Sequence, residues 1–120
     1  MKPVAKFIST LMHSRNQAHI FHLQTTSYAA HKALQGYYDD IVELIDGYVE
    51  MYQGRYGILT GYSPVAQIYD ESSVLKYFDG LQIFVDQLRD ELPKDGELNN
   101  TVDEISGLIS STIYKLKFLQ

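Results

Sequence analysis

The chain of 120 residues contains no cysteine, which excludes thiolate metal sites and a disulfide framework. It also lacks any apolar run close to the roughly 20 residues that span a bilayer, so no transmembrane helix is expected. The first residues form no apolar segment of the kind found in signal peptides. The cytosol is therefore the expected compartment.

Clusters of basic residues are absent as well. Lys and Arg together number 10 against 15 Asp and Glu, which gives a net charge of −5. Because neutralisation of phosphates drives nucleic-acid affinity, this balance argues against DNA or RNA binding. An apolar content of 45% is ordinary for a globular core, and the length predicts one domain over residues 1–120.

Apolar residues recur at spacings of three and four in the first half of the chain, and this pattern predicts two long helices. The first helix runs from about Val4 to about Gln24. Ser27 is the expected N-cap of the second helix, which continues to about Tyr52.

The second half of the chain begins with glycines and Pro64, which favour an irregular connection over residues 54–71 with one short helix around residues 64–69. A third helix is expected to begin near Ser72 or Ser73 and to end before Pro93. A fourth follows the turn at residues 95–96. This order predicts an all-α, ferritin-like four-helix bundle with one long crossover connection between helices two and three.

Histidines and carboxylates form the most informative set in the sequence. His19 and His31 stand twelve residues apart, and Asp46 and Glu50 follow fifteen and nineteen residues after His31. Because Asp46 and Glu50 are four apart, they lie on one face of a helix. Neutral imidazole and carboxylate together suit iron, manganese or zinc. The set therefore predicts a metal site with mixed nitrogen and oxygen ligands.

The position of these residues around the second helix predicts where the site is completed. At about 100° per residue, an arc of roughly 100° beside the apolar stripe contains His31, Gln35, Asp39, Asp46 and Glu50. Residues that flank the core need another element against them to complete a site. The simplest candidate is the second helix of another subunit, which predicts a site between two chains.

The segment Gln17-Ala18-His19 resembles the "QAH" motif in helix A of the mini-ferritins, also called Dps (DNA-binding protein from starved cells). His31 stands at the family's spacing to its second histidine. The segment Asp46-Gly47-Tyr48-Val49-Glu50 matches the family's D-x-x-x-E element at the right distance. The run over residues 100–120 is also similar to the family's last helix. The similarity covers most of the chain, with specific motifs only in residues 17–50.

The resemblance implies a ferroxidase centre that binds Fe(II), oxidises it with peroxide or oxygen and stores it as Fe(III), with Zn²⁺ or Mn²⁺ as alternative ions. His19 and His31 would come from one subunit, and Asp46 and Glu50 from its neighbour across a two-fold axis. Gln35 would be a fifth ligand. The implied assembly is a homo-oligomer, at least a dimer and up to a dodecameric cage, that serves iron storage and oxidative protection.

Three features depart from the family's pattern. Gln35 stands where the family has aspartate, which removes one negative charge and predicts weaker binding of a second iron. Ile20 stands where a tryptophan usually follows the first histidine. No lysine-rich N-terminal tail is present, so DNA binding is not expected. Compact Dps-like chains of this kind also look similar to uncharacterised proteins of tailed phages, which would place the protein in the host cytoplasm or the virion.

A second hypothesis stays open: a catalytically silent ferritin-like structural or interaction protein with a degenerate metal site. Gln35 favours this hypothesis, whereas the matched His, Asp and Glu spacing favours the active site. Of the two remaining histidines, His22 lies on the core stripe and is expected to be a satisfied core residue, with support of the metal ligands or a supplementary ligand role as the alternative. His13 is expected at the surface.

Overall fold

The computed structural model describes residues 2–63 and 67–119, and these residues form four α-helices. They are α1 (Pro3–Gln24), α2 (Tyr28–Tyr56), α3 (Val74–Leu88) and α4 (Gly96–Phe118). Short 3-10 turns at Glu71–Ser73 and Arg89–Glu91 precede and follow α3. Since no strand occurs in this described part of the chain, the prediction of an all-α fold is confirmed.

The start of α2 agrees with the sequence prediction, because the Ser27 side chain accepts a hydrogen bond from the backbone N–H of Ala30. Its end does not. α2 continues through Gly54 to Tyr56, one turn beyond the predicted end. Arg55 in this extra turn donates hydrogen bonds to Glu97 of α4, at 2.6 and 3.1 Å. Such tertiary contacts favour the extra turn against the low helix propensity of glycine.

The predicted short helix at residues 64–69 lies partly outside the described residues, which omit 64–66. Residues 67–70 are not helical. The first helical turn after the connection is Glu71–Ser73, so α3 starts directly after Ser73, as the sequence predicts. The α-helical part of α3 ends at Leu88, and the 3-10 turn that follows tightens the chain ahead of Pro93.

Each helix turns one apolar face to a common core, and burial of these faces is the main stabilising contribution to the fold. Aromatic rings meet edge to face within it, Phe7 on Tyr48 and Tyr37 on Phe78, with centroids 5.5 and 5.0 Å apart. The largest fully buried side chains are Tyr37, Tyr48, Phe7, Phe21, Phe78, Ile8, Leu11, Leu34, Ile41, Leu98, Ile105 and Ile109. Within the described ranges, no helix has the length and apolar character needed to cross a membrane.

Contacts at the two ends of the molecule give the directions of the helices. At one end, a cavity is lined by Leu34 near the start of α2, Val74 at the start of α3 and Leu116 near the end of α4. At the other end, Arg55 in the last turn of α2 bonds to Glu97 in the first turn of α4. Both α2 and α3 therefore start at the end of the molecule where α4 finishes, and α4 runs antiparallel to α2.

The connection between α2 and α3 lies along α1. Three buried polar side chains of α1, spaced four residues apart, hydrogen-bond to the backbone of the connection. The pairs are Ser9 with Ser63 at 2.9 Å, His13 with Gln67 at 2.6 Å, and Gln17 with Tyr69 at 2.8 and 3.0 Å. Because later residues of the connection pair with later residues of α1, the connection and α1 run in the same direction.

Candidate metal centre

Three of the four histidines gather at the turn between α1 and α2. The turn is short because α1 ends at Gln24 and Ser27 already caps α2. The last turns of α1 and the first turns of α2 consequently lie side by side. This places His22 of α1 against His31 of α2, with His19 beside His22.

His22 and His31 are joined by two reciprocal hydrogen bonds, which we call the histidine clasp. Nδ1 of His22 lies 2.7 Å from the backbone oxygen of His31, and Nδ1 of His31 lies 2.9 Å from the backbone oxygen of His22. The two rings stack with centroids 3.6 Å apart and planes inclined by 18°. His22 is buried, as the sequence predicts, whereas His31 is half-buried.

Two tyrosines extend this cluster. Tyr38 stacks on His19 with centroids 4.5 Å apart and presents its edge to His22 at 5.3 Å. Tyr28, largely exposed, lies nearly parallel to the His31 ring, with centroids 6.3 Å apart. His19 and His22 are themselves 6.0 Å apart. Sequence periodicity places Tyr38 on the apolar stripe of α2, and it gives no sign that the ring covers His19.

The prediction that His13 lies at the surface is wrong. His13 is buried between α1, the connection and α3. Its Nε2 lies 2.6 Å from the backbone oxygen of Gln67, and its Nδ1 lies 3.0 Å from the Tyr77 hydroxyl. Burial raises the pKa of Tyr77, which keeps this hydroxyl protonated. His13 therefore holds the connection in place and takes no part in the histidine clasp.

Gln17, the first residue of the QAH motif, is fully buried and binds no other residue of the predicted site. Its side-chain amide donates to the backbone oxygen of Tyr69 at 3.0 Å and accepts from the backbone N–H of Tyr69 at 2.8 Å. This pairing satisfies both a donor and an acceptor of an otherwise irregular segment. The motif residue thus has a structural role in this chain.

The two carboxylates lie well away from the histidines. Asp46 and Glu50 are exposed on α2, and neither makes a hydrogen bond or ion pair with the described residues. Along the helix, Asp46 is about 22 Å from His31, because fifteen residues rise by about 1.5 Å each. Asp46 lines a shallow surface depression together with Met12 and Arg15 of α1.

Gln35 lies one turn after His31 and is half-buried. Within residues 2–63 and 67–119, no three His, Asp or Glu side chains come close enough together to hold a metal ion. The predicted ligands of one chain therefore form two separate groups, with His19, His31 and Gln35 towards the start of α2 and Asp46 and Glu50 farther along it.

Comparison with known proteins finds similarity to a family of unknown function and to an uncharacterized phage protein. The profile of a family of unknown function, DUF5856, matches residues 22–116. A protein of Enterobacteria phage T4, described as an uncharacterized 14.6 kDa protein in the mobD-ri intergenic region, is 29% identical over 115 residues. That alignment covers 92% of this chain and 85% of the phage protein. No solved structure matches the chain.

Proposed function

The chain belongs to DUF5856, a family of unknown function, and we propose that this member is a ferritin-like, Dps-type protein that binds and oxidises Fe(II). The metal lies between two copies of the chain. Each Fe(II) gives one electron to peroxide or oxygen, and the Fe(III) formed is stored. His19 and His31 bind the metal from one copy, and Asp46 and Glu50 bind it from the other, with Gln35 as a neutral oxygen ligand.

The order and direction of the helices support this proposal. α2 and α3 start at the same end of the molecule, and the connection between them follows α1 along its length. A long crossover of this kind, between two helical hairpins, is the topology of ferritin-like bundles. Fold alone does not establish activity, so the arrangement of the ligands has to carry the proposal.

The observation that carries it is the separation of the two ligand groups on one flank of α2. Asp46 and Glu50 are exposed and unpaired within the described residues, and they lie on the same arc of the helix as His31. In an isologous dimer, the patch on one subunit meets the same patch on the other. Two antiparallel copies of α2 then bring the histidines of each chain to the carboxylates of the other.

This geometry fixes where the two-fold axis crosses α2. The midpoint between His31 and Asp46 or Glu50 falls at about residue 39 or 40. Asp39 lies at this midpoint, on the same exposed arc. Two copies of residue 39 are therefore expected to face each other across the axis.

A cross-linking experiment tests the proposed axis cleanly, because the chain has no native cysteine. Asp39→Cys should form a disulfide-linked dimer on mild oxidation with diamide, since the two thiols meet at the axis. Asp86→Cys, at an exposed position of α3, is the matched control and should not cross-link efficiently. A wild-type protein that remains monomeric at micromolar concentration by light scattering would overturn the proposal.

Metal chemistry is tested separately. Anaerobic calorimetry should show stoichiometric Fe(II) binding that weakens in His31→Ala and in Glu50→Ala, because each removes a ligand. Gln35→Asp should tighten binding, because it restores a carboxylate beside the metal. Peroxide added to the loaded protein should give the Fe(III) absorbance. Absence of Fe(II), Mn(II) and Zn(II) binding in the wild type would exclude the iron function.

Gln35 favours a second candidate function, a ferritin-like scaffold or interaction protein whose metal site no longer works. In that case the α2 interface still forms and Asp39→Cys still cross-links, but metal does not bind. The similarity to a phage T4 protein favours a role for such a scaffold in the infected cell or in the virion. The two experiments together distinguish the candidates.

A further inference from the structure

The histidine clasp fixes the protonation pattern of both of its rings. A backbone oxygen accepts hydrogen bonds and cannot donate them, so Nδ1 of His22 and Nδ1 of His31 must each carry the hydrogen. A neutral imidazole has one N–H only. Nε2 of each ring therefore carries a lone pair and no hydrogen.

An imidazole in this state is ready to bind a metal. Histidines that bind metals almost always donate their other ring N–H to a backbone oxygen or a carboxylate, which fixes the ring's orientation and raises its basicity as a ligand. Neither Nε2 of the clasp has a hydrogen-bond partner among the described residues. Both Nε2 atoms are also accessible to solvent. Among the described residues, the Tyr48 hydroxyl is the only polar side-chain atom that is both fully buried and without a hydrogen-bond partner.

The stacking of the rings gives the two histidines different roles. The lone pair of an imidazole nitrogen lies in the ring plane. With planes inclined by only 18° and centroids 3.6 Å apart, the lone pairs of His22 and His31 do not converge on one ion. His31 is the more accessible ring, and it is also the residue on the exposed arc of α2.

We propose that His22 is the positioning residue for a metal ligand, His31: the clasp holds His31 in the Nδ1–H form and directs its Nε2 to a divalent transition metal of the class that imidazole prefers. This rests on the proposed function in taking His31 as a ligand. It adds a residue outside the predicted ligand set, and it explains why a histidine is buried at position 22. A purely structural clasp needs the two N–H bonds but makes no use of the free Nε2.

The ring forms are measured directly by long-range ¹H–¹⁵N correlation spectra of the histidine side chains at pH 8, without metal. His22 and His31 should both show a protonated Nδ1 and an unprotonated Nε2. His13 is an internal control with the opposite pattern, because its Nε2 faces the Gln67 backbone oxygen. An Nε2–H form at His31 would overturn the proposal.

Zinc is the binding probe, since it is redox-inert and requires no oxidation step. One equivalent of Zn²⁺ should shift the Nε2 resonance of His31 and leave that of His13 unchanged. His31→Asn keeps an N–H donor at the Nδ1 position and removes Nε2, so it should abolish this zinc binding with the fold intact by circular dichroism. Zinc binding that survives His31→Asn contradicts the assignment of the ligand.

The positioning role is tested at residue 22. The bond that fixes the Nδ1–H form of His31 goes to the backbone oxygen of residue 22 and survives substitution there. His22→Phe keeps a stacked ring but removes the other bond, from the His22 ring to the backbone oxygen of His31, which holds the start of α2 in place. It should weaken zinc binding by about 10- to 100-fold, as is typical for loss of a group that orients a ligand. His22→Asn restores the N–H donor without a ring nitrogen that can bind metal, and it should recover most of the affinity. Equal affinity in His22→Phe and wild type would show that His22 does not position His31.

These outcomes are separate from those for the proposed function. If the ring forms and zinc shifts are as expected but Fe(II) is not oxidised, the clasp stands and the ferroxidase proposal fails. If Fe(II) is oxidised with His31 in the Nε2–H form, the ferroxidase proposal stands and the positioning role of the clasp is wrong.

Discussion

Two buried tyrosines of α2 allow the same substitution to be made in opposite hydrogen-bonding environments. Tyr37 and Tyr48 are eleven residues apart, so they lie on the same face of the helix within about 20°. Their exposed fractions are 1% and 0%. Tyr→Phe keeps the ring and its packing at either position, and removes only a hydroxyl group.

At position 37 the hydroxyl is paired. It lies 2.7 Å from the Ser14 hydroxyl, which also donates to the backbone oxygen of Leu11 at 2.6 Å. Burial raises the pKa of Tyr37, so the hydroxyl remains protonated. Loss of one buried hydrogen bond typically costs about 1 kcal/mol. Tyr37→Phe should therefore lower the free energy of unfolding by about 1 kcal/mol.

At position 48 the hydroxyl has no hydrogen-bond partner among the described residues. Burial raises the pKa of Tyr48 to about 12. A buried hydroxyl without a partner loses its hydration and gains nothing in return, which costs about 1–3 kcal/mol. Tyr48→Phe should therefore raise the free energy of unfolding, by about 1 kcal/mol once partial relaxation is allowed for.

Urea unfolding followed by circular dichroism measures both effects. The two variants should differ by about 2 kcal/mol, with midpoints on either side of the wild type and similar m-values. If Tyr48→Phe is destabilised as much as Tyr37→Phe, the Tyr48 hydroxyl has a partner and the reasoning from its isolation is refuted.

Two further predictions concern the connection and the end of α2. Gln17→Ala removes both hydrogen bonds to Tyr69 and should lower the free energy of unfolding by about 2 kcal/mol. Gln67→Ala, at an exposed position of the connection, is the control and should change it by less than about 0.5 kcal/mol. Equal losses of stability in thermal melts would contradict the role of Gln17. Hydrogen bonding to Arg55 holds the pKa of Glu97 below its ordinary value of 4.5. A lowered pKa in the folded state stabilises the fold above the ordinary value and is lost as the pH falls. The stability of the wild type should therefore fall more steeply than that of Arg55→Gln between about pH 5 and pH 3, and parallel curves in acid titrations would contradict this.

Helical periodicity predicts four helices in this chain, since each has an apolar face that must be buried. It does not predict the end of α2, which continues past Gly54 into a turn whose Arg55 contacts Glu97 of α4. Nor does it predict the burial of His13. A periodic pattern shows which side of a helix faces the other helices, and it is silent about an irregular segment that covers the opposite side.

The candidate site is likewise only partly predictable from the sequence. The sequence places His31, Asp46 and Glu50 on one flank of α2, which follows from the helix repeat alone. The pairing of His22 with His31 is invisible in the sequence, because the turn at residues 25–27 breaks the regular repeat between them. The helix repeat also shows that these residues flank the core, which is why the proposed site needs a second copy. Whether two copies fit together depends on surface complementarity between chains, which spacing alone does not give.

The three bonds from α1 to the connection have a consequence for how the chain tolerates mutation. Ser9, His13 and Gln17 all hydrogen-bond to backbone atoms of the connection, so these bonds do not depend on the identity of its side chains. Substitutions at Ser63 and Gln67 then leave these bonds available. The hydrogen bonds that hold the connection to α1 thus persist through changes at exposed positions such as Gln67, whereas Leu59, which is buried, and Tyr69, which packs on His13 and Tyr77, are constrained by their own side chains.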